Sequence, residues 1–494
     1  MPARASTAAP RPRLPALAAA IALATGCSTS GAEAEGQGGA APLSAAELRD
    51  PASCQRCHPA HVAEWAGSMH AYAAEDPVFV AMNARGQRET GGALGTFCVK
   101  CHAPLAVRDG ATKDGLNLAS LPAWQRGVTC AFCHSIAEVK GTHDAALELA
   151  KDGVLRAGLA DPMPTGAHRS AYSALHDREQ EGSSSLCGSC HDIVTPNGTH
   201  LERTYAEWQS TVFAHPPGRL TCSQCHMEGR DSLAAEVPGA PTRRTHDHRF
   251  AGVDVALTDF PARDEQRAAV QRSLDSTLQA ALCVKAGSLV EVVLDNVGAG
   301  HLFPSGASQD RRAWVELVAW SGGQRLFESG VVAEHASPLD APDPDLWLFR
   351  DCLLDAKGHE VHMFWEATRY DSNQLPAPVT LDPQDPAFYS THVKRAYPRT
   401  GELPSPPDRV TMRVRVQPIG GDVLRSLVTS GDLDAAVALR MPTFDLAGAT
   451  LEWTPEKATL KYLEGGLPVT CVTRGLTTGA NTAVPAPEHQ LCAP

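Results

Sequence analysis

Apolar positions are spread unevenly along the chain. Before about residue 250 they come in short pieces: Pro59–Gly67 and Tyr205–Phe213 have helical spacing, and Pro- and Gly-rich stretches such as Ala160–Gly166 separate them. From about residue 280 the period changes to two. Val410, Met412, Val414 and Val416 alternate with Thr411, Arg413 and Arg415, which predicts a half-exposed strand. Ser288–Asp295 and Trp314–Trp320 read as strands as well, the second running into a turn at Ser321–Gly323. Leu346–Leu354 and Glu360–Glu366 flank Asp355–Gly358, a hairpin signal, and one helix is expected around Asp422–Leu439. The pattern predicts an α+β chain. A mainly α, loop-rich N-terminal domain over 51–250 is followed by a β-sandwich-like C-terminal domain over 251–494.

The first residues follow another logic. Arg4, Arg11 and Arg13 precede the apolar stretch Leu14–Ala24, which ends at Thr25-Gly26-Cys27. A basic start, a short apolar centre and a small-residue end read as an export signal over 1–26. Small residues directly before Cys27 also suit a bacterial lipoprotein site, with a lipid anchor on that cysteine. Against this, Ala24 stands where such sites usually carry Leu, and cleavage after Ala22-Leu23-Ala24 or Ala32-Glu33-Ala34 is the alternative. Residues 27–50, largely Gly, Ala, Ser, Glu and Gln, read as a flexible tether. The expected location is the periplasm or the outer membrane.

Charge and composition narrow the function. A formal net charge of −13 in 494 residues supplies no basic phosphate-contacting surface, so nucleic acid is not an expected partner. No apolar run is long enough for an internal membrane span. The 15 Cys and 20 His are the unusual counts. Ten of the cysteines fall in five repeats of C-x-x-C-H: Cys54, Cys57 and His58; Cys98, Cys101 and His102; Cys130, Cys133 and His134; Cys187, Cys190 and His191; and Cys222, Cys225 and His226. This is the attachment signature of c-type haem. Two thiols one helical turn apart can each add to a porphyrin vinyl group, and the next residue then brings an imidazole to the iron. Zinc ribbons pair two C-x-x-C units about 15–20 residues apart, whereas the gaps here are 40, 28, 53 and 31 residues. Five covalently attached haems are expected. Cys283, Cys352, Cys471 and Cys492 are left, enough for two disulfides in any of three connectivities.

Each iron has a second side, and 15 histidines remain for it. His70, His168, His176, His246 and His248 are the candidates within the haem region; the last two are two residues apart, so crowding allows at most one of them on a given iron. His61, three residues past a proximal ligand, is expected at the surface. His143, His200 and His215 carry no supporting pattern. Met69, Met82, Met163 and Met227 read as packing against porphyrin. A further candidate lies outside the region: His301, at the apex of the glycine-rich loop Asn296–Gly306, where it could reach a haem across the domain boundary.

Cys54–His70 with Glu64-Trp65 and Ser68-Met69-His70, Phe97–Pro104, Gly127–Ile136, Leu186–Asp192, and Thr204–Trp208 leading into Cys222–Met227 resemble the multihaem cytochromes c of the c-552/c-554 family. The resemblance covers about residues 51–250. It implies haems stacked in close pairs, distal ligands drawn from His distant in sequence, and, by position, roles for His70, His168 and His176 as such ligands. The loop around His301 also resembles one found beyond the haem region in larger proteins of this kind.

Two functions follow as expectations. The first is an exported electron carrier working between redox proteins or membrane quinol-oxidising complexes. The alternative is a multihaem oxidoreductase acting on a small nitrogen or sulfur compound at an open haem. All five motifs end in His, so no altered proximal ligand marks a catalytic haem, which favours the carrier. No catalytic residue is identified.

Overall fold

The computed structural model describes residues 41–487. The export signal, most of the tether, Cys27 and Cys492 lie outside them. Among the described residues no helix is long and apolar enough to cross a membrane.

Up to residue 250 the chain is a succession of short helices joined by loops and two-stranded ribbons, as the broken apolar pattern predicts. Four of its helices, Pro51–Cys54, Pro59–Ala66, Pro77–Glu89 and Pro104–Arg108, begin on a proline, whose missing N–H costs nothing at that position. The 13-residue helix Pro77–Glu89 is the long exception, and the apolar pattern did not reveal it. Asp76 caps it by accepting a hydrogen bond from the Val78 amide at 2.9 Å. Its Val78 and Ala81 are buried in the core of the β-rich part. At its far end Arg88 makes a bidentate pair with Asp432 at 2.6 and 2.7 Å.

Two sheets form the β-rich part. The first has the order Leu460–Glu464, Leu467–Arg474, Gln279–Lys285, Leu289–Asp295, His392–Tyr397 and Val484–Pro485. The second has the order Gln324–Ser329, Arg312–Ser321, Arg409–Gln417 and Phe444–Trp453, with Trp347–Phe349 also pairing Arg312–Ser321. Alternate residues of both, among them Leu282, Val292, Val315, Leu317, Val414 and Leu446, meet in one buried cluster, so the sheets face each other as a sandwich. On the opposite face of the second sheet Arg413 and Arg415 share Glu316 and Asp445 at 2.7–3.0 Å, which explains the alternation of Val with Arg.

Two expected elements differ. The arm Glu360–Glu366 is not a strand: Asp351–Leu354 pairs instead with Arg369–Ser372. The turn itself forms, closed by Asp355 N–H donating to the His359 carbonyl at 2.9 Å, but the chain then loops before it pairs. The helix expected over Asp422–Leu439 is two, Gly421–Thr429 and Ala435–Ala438. Gly431 breaks it with φ +79°, a left-handed conformation that glycine adopts without a Cβ penalty.

Cys283 and Cys471 stand opposite each other on paired strands and form a disulfide that spans 188 residues of sequence. Cys352 is disulfide-bonded too. Replacing both Cys283 and Cys471 by Ala is expected to cost about 2–5 kcal/mol, because the cross-link restricts the unfolded chain over a long loop. Denaturant unfolding of the two-alanine variant checks this; a loss under about 0.5 kcal/mol would count against it.

Candidate metal centres

Each motif occupies a single helical turn. Cys54 O accepts from the His58 amide at 2.8 Å, Cys98 O from His102 at 3.3 Å and Cys187 O from His191 at 3.0 Å. That turn sets both thiols and the imidazole on one side of the backbone.

The imidazoles are oriented by backbone carbonyls. Nδ1–H of His58 donates to Ala234 O at 2.6 Å, that of His102 to Ala73 O at 2.9 Å, that of His134 to Arg156 O at 2.6 Å and that of His226 to Ala251 O at 2.8 Å. A proton held on Nδ1 leaves the lone pair on Nε2, the tautomer that a metal requires. The carbonyls lie 22 to 176 residues from their histidines in sequence, so the fold, not the motif, selects the tautomer.

Second imidazoles can be recognised by spacing. With an imidazole–metal bond of about 2 Å on each side, the two ring centres stand roughly 6 Å apart. His58 and His168 are separated by 6.2 Å, His70 and His191 by 6.2 Å, and His134 and His248 by 6.4 Å. His248 donates Nδ1–H to His246 O at 2.8 Å, again freeing Nε2. His301 is buried beside His226 and donates its Nδ1–H to Leu302 O at 2.8 Å. The donor set therefore fits c-type haem: a thiol pair, a proximal imidazole, at three motifs a second imidazole at that spacing, and at the fifth His301 acting electrostatically with His226.

The other candidates are placed differently. His176 lies 5.8 Å from His134, but its Nε2–H donates to Cys133 O at 2.8 Å and its Nδ1 meets Ser173 Oγ at 3.0 Å, so both nitrogens are engaged. His246 faces Arg178 and Arg244 instead of a proximal ring. His61 is not at the surface: it is half-buried, 6.2 Å from His58 and 5.0 Å from His248. Among the described residues no imidazole is in ring contact with His102, whose ring is stacked on Phe79 at 3.9 Å, although His70 and His191 act on it electrostatically.

Burial pushes His70 and His134 down to about 3, with the neighbouring imidazoles His191 and His176 next in effect. Burial likewise pushes His61, His246 and His301 down to about 4. Glu64 was visible in sequence only as part of the Glu64-Trp65 resemblance, and the structure gives it a task. Its carboxylate accepts from the His248 amide at 3.1 Å and pairs with Arg230, which fixes His248 opposite His134. Burial alone would raise its pKa; the hydrogen bonds from His248 and Arg230 outweigh it and hold Glu64 at about 2.

None of the ten motif cysteines is in a disulfide, so each motif keeps the two thiols that attachment needs. Thiols of different motifs also act on one another electrostatically: Cys54 with Cys130, Cys101 with Cys190, Cys187 with Cys222, and Cys133 with Cys190. All five motifs are thereby joined in one network: first to third, third to fourth, fourth to second and to fifth.

The repeats are equivalent in sequence, but their thiols are not equivalent in the structure: Cys57, Cys98 and Cys225 stand outside that network. Cys57 is fixed through its backbone, its N–H donating to Cys54 O at 3.1 Å and its carbonyl accepting from the Glu236 amide at 2.7 Å. Burial pushes the Cys98 thiol up to about 12, with the charge of Glu202 adding to it. Cys225 is exposed, with Cys222 of its own motif and Arg178 as its charged neighbours.

Residues 53–135 match the family described as Cytochrome c554 and c-prime. No curated protein matches the chain. A solved structure titled as a penta-heme cytochrome c552 from Thermochromatium tepidum is 21% identical, with a TM-score of 0.56, over 83% of this chain and 99% of that one. At that identity the likeness is one of fold.

Proposed function

We propose that this multihaem cytochrome c, of the c-552/c-554 type, carries five covalent haems and transfers electrons between redox partners outside the cytoplasm. The observation that carries the reading is the thiol network. Thiols that act on one another belong to neighbouring cofactors, so one connected path serves all five motifs. The chemistry the haem supplies is a one-electron change at iron. The chain's part is to hold four of the irons between two imidazoles, so that their coordination is the same in both valences. His58 with His168, His134 with His248, His191 with His70 and His226 with His301 serve that role. Export rests on the basic and apolar N-terminal sequence, and the same sequence supports the periplasm or the outer membrane as the location, with a lipid on Cys27 as the means of anchoring. Redox proteins or quinol-oxidising membrane complexes are the proposed partners.

A second reading, an oxidoreductase acting on a small nitrogen or sulfur compound, is favoured by one observation. His102 has Phe79 stacked against its face, and among the described residues no second imidazole is in ring contact with it. An iron held there would keep one side for a small ligand. A haemochrome assay is expected to count about five haems per chain, with about four low-spin and one high-spin by electron paramagnetic resonance. Fewer haems would overturn the proposal. Binding of carbon monoxide by the reduced second haem, with turnover of hydroxylamine or sulfite, would transfer the weight to the oxidoreductase; no carbon monoxide adduct would end that reading.

A further inference from the structure

The loop that carries His301 is held from outside its own sheet. Residues 296–306 leave the strand Leu289–Asp295 and run against the helix Thr204–Gln209. That helix is tied to two motifs. Tyr205 N–H donates to the His191 carbonyl at 3.2 Å, and Trp208 Nε1–H donates to Leu220 O at 2.9 Å, two residues before Cys222. From this helix and the turn after it, three side chains reach the loop. Thr204 Oγ1 meets Ser305 Oγ at 2.8 Å and accepts from the Gly306 amide at 3.0 Å.

Glu207 is the most deeply committed of the three. It is 8% exposed, and its two carboxylate oxygens are both used. Oε2 accepts from Ser305 Oγ at 2.6 Å, and Oε1 accepts from Gln374 Nε2 at 3.2 Å. The backbone of Leu302, the residue after His301, also acts on this carboxylate, lowering its pKa. Gln374 in turn donates to Pro304 O at 2.5 Å, so the carboxylate and the amide grip the loop between them. Thr211 Oγ1 reaches Gly300 O at 3.4 Å on the near side of His301. Asn296 Nδ2 donates to the His301 carbonyl at 2.8 Å.

A carboxyl group buried this far is costly unless its surroundings repay it, and burial pushes Glu207 up to about 7. A core position between two segments could be filled by an apolar side chain at less cost. The retention of an acid whose partners are all on the His301 loop, or bridge to it, calls for a role in the position of that loop. We propose that Glu207 is the positioning residue for His301: through Ser305 and Gln374 it locks the loop so that His301 faces the fifth haem. The inference rests on the reading of His301 as that haem's second ligand. The same anchoring links the β-rich part to the fourth and fifth motifs, so the ligand geometry of the fifth haem is set by contacts from both parts of the chain.

The test uses the full holoprotein, with His301→Ala, Glu207→Ala, Glu207→Gln and the variant carrying both alanines. Electron paramagnetic resonance and carbon monoxide uptake by the reduced protein read the iron, and a redox titration reads its potential. His301→Ala is expected to open about one haem per chain to carbon monoxide. Glu207→Ala is expected to open a measurable part of the same haem and to shift its potential, with no further change when the two are combined. Glu207→Gln, which keeps an oxygen for Ser305, is expected to restore the low-spin signal. If His301→Ala opens no haem, the ligand reading fails. If His301→Ala opens one and Glu207→Ala leaves spin state and potential unchanged, the positioning role fails. If Glu207→Ala does not accumulate with haem, Ser305→Ala replaces it, and unchanged iron spectra in that variant overturn the proposal equally.

Discussion

Made under conditions where haem cannot be attached, the chain is expected to lose stable tertiary structure over residues 51–250 while the two sheets persist. The reason is the distribution of buried apolar surface. The sandwich core is one cluster of 38 buried residues. The haem region has separate patches: six buried residues around Phe79 and Val99, five around Phe132 and Ile136, and three around Tyr205 and Trp208. Patches of that size do not offset the entropy of ordering so much loop. The porphyrins have to supply the apolar faces that join them. Hydrogen exchange resolved by segment checks this. Amides of the haem region are expected to lose protection by about a thousandfold or more, some 4 kcal/mol, relative to the holoprotein. Native-like protection across both parts in the haem-free chain would show that the polypeptide alone carries the fold.

The second large effect is in the sandwich. Arg312 is fully buried, and its guanidinium meets Asp422 at 3.1 Å through Nε and 2.5 Å through Nη2. Asp422 also accepts from Ser337 Oγ at 2.6 Å. Asp422→Asn leaves the arginine charge in the core without a counter-charge and is expected to cost about 3–5 kcal/mol in denaturant unfolding. Replacing the pair by Met and Leu is expected to be far milder, since the pair's own desolvation goes with it. The acid dependence follows from the same contact. Burial by itself would raise the Asp422 carboxyl, but the Arg312 charge and the hydrogen bonds from Arg312 and Ser337 prevail, and it is held at about 2 against an ordinary 3.8. A depressed carboxyl stabilises the fold above its unfolded value. The contribution, about 2 kcal/mol, is therefore full above pH 4–5 and fades as pH falls towards 2. Asp422→Asn is expected to flatten stability across that interval; an unchanged acid limb would assign the slope to other carboxylates.

What could be read from the sequence depended on how local the determining contacts are. The C-x-x-C-H turns are local, and so is the Val/Arg alternation of 409–417. The helix Pro77–Glu89 was missed because its buried side is made of Val78, Phe79, Ala81 and polar Asn83 and Gln87, a weak apolar stripe that only tertiary packing completes. The arm expected at Glu360–Glu366 had the right composition in the wrong place, since the turn after Asp355 does not fix how far the following loop runs. Among the second imidazoles, His70, His168, His248 and His301 stand near proximal rings. His176 had an equally good position in sequence, and only the carbonyl of Cys133 shows which way its Nε2 points. The thiols divide in the same way: nothing in the motif separates Cys57 from Cys54, because what does so is the position of the third motif's Cys130. Glu207 was visible only as part of the Thr204–Trp208 resemblance, with no sign of its partners. Its role depends on residues 95 to 167 positions away, which no periodicity records.

The cross-motif thiol interactions have a consequence for biogenesis. In an oxidising compartment, a chain that collapsed before receiving its cofactors would bring Cys54 against Cys130 and Cys187 against Cys222, and such pairs oxidise. A sulfur committed to a mispaired bridge has no S–H left to add across a vinyl group. On the proposed export, reductant would have to reach these thiols, and haem be attached, before the chain collapses.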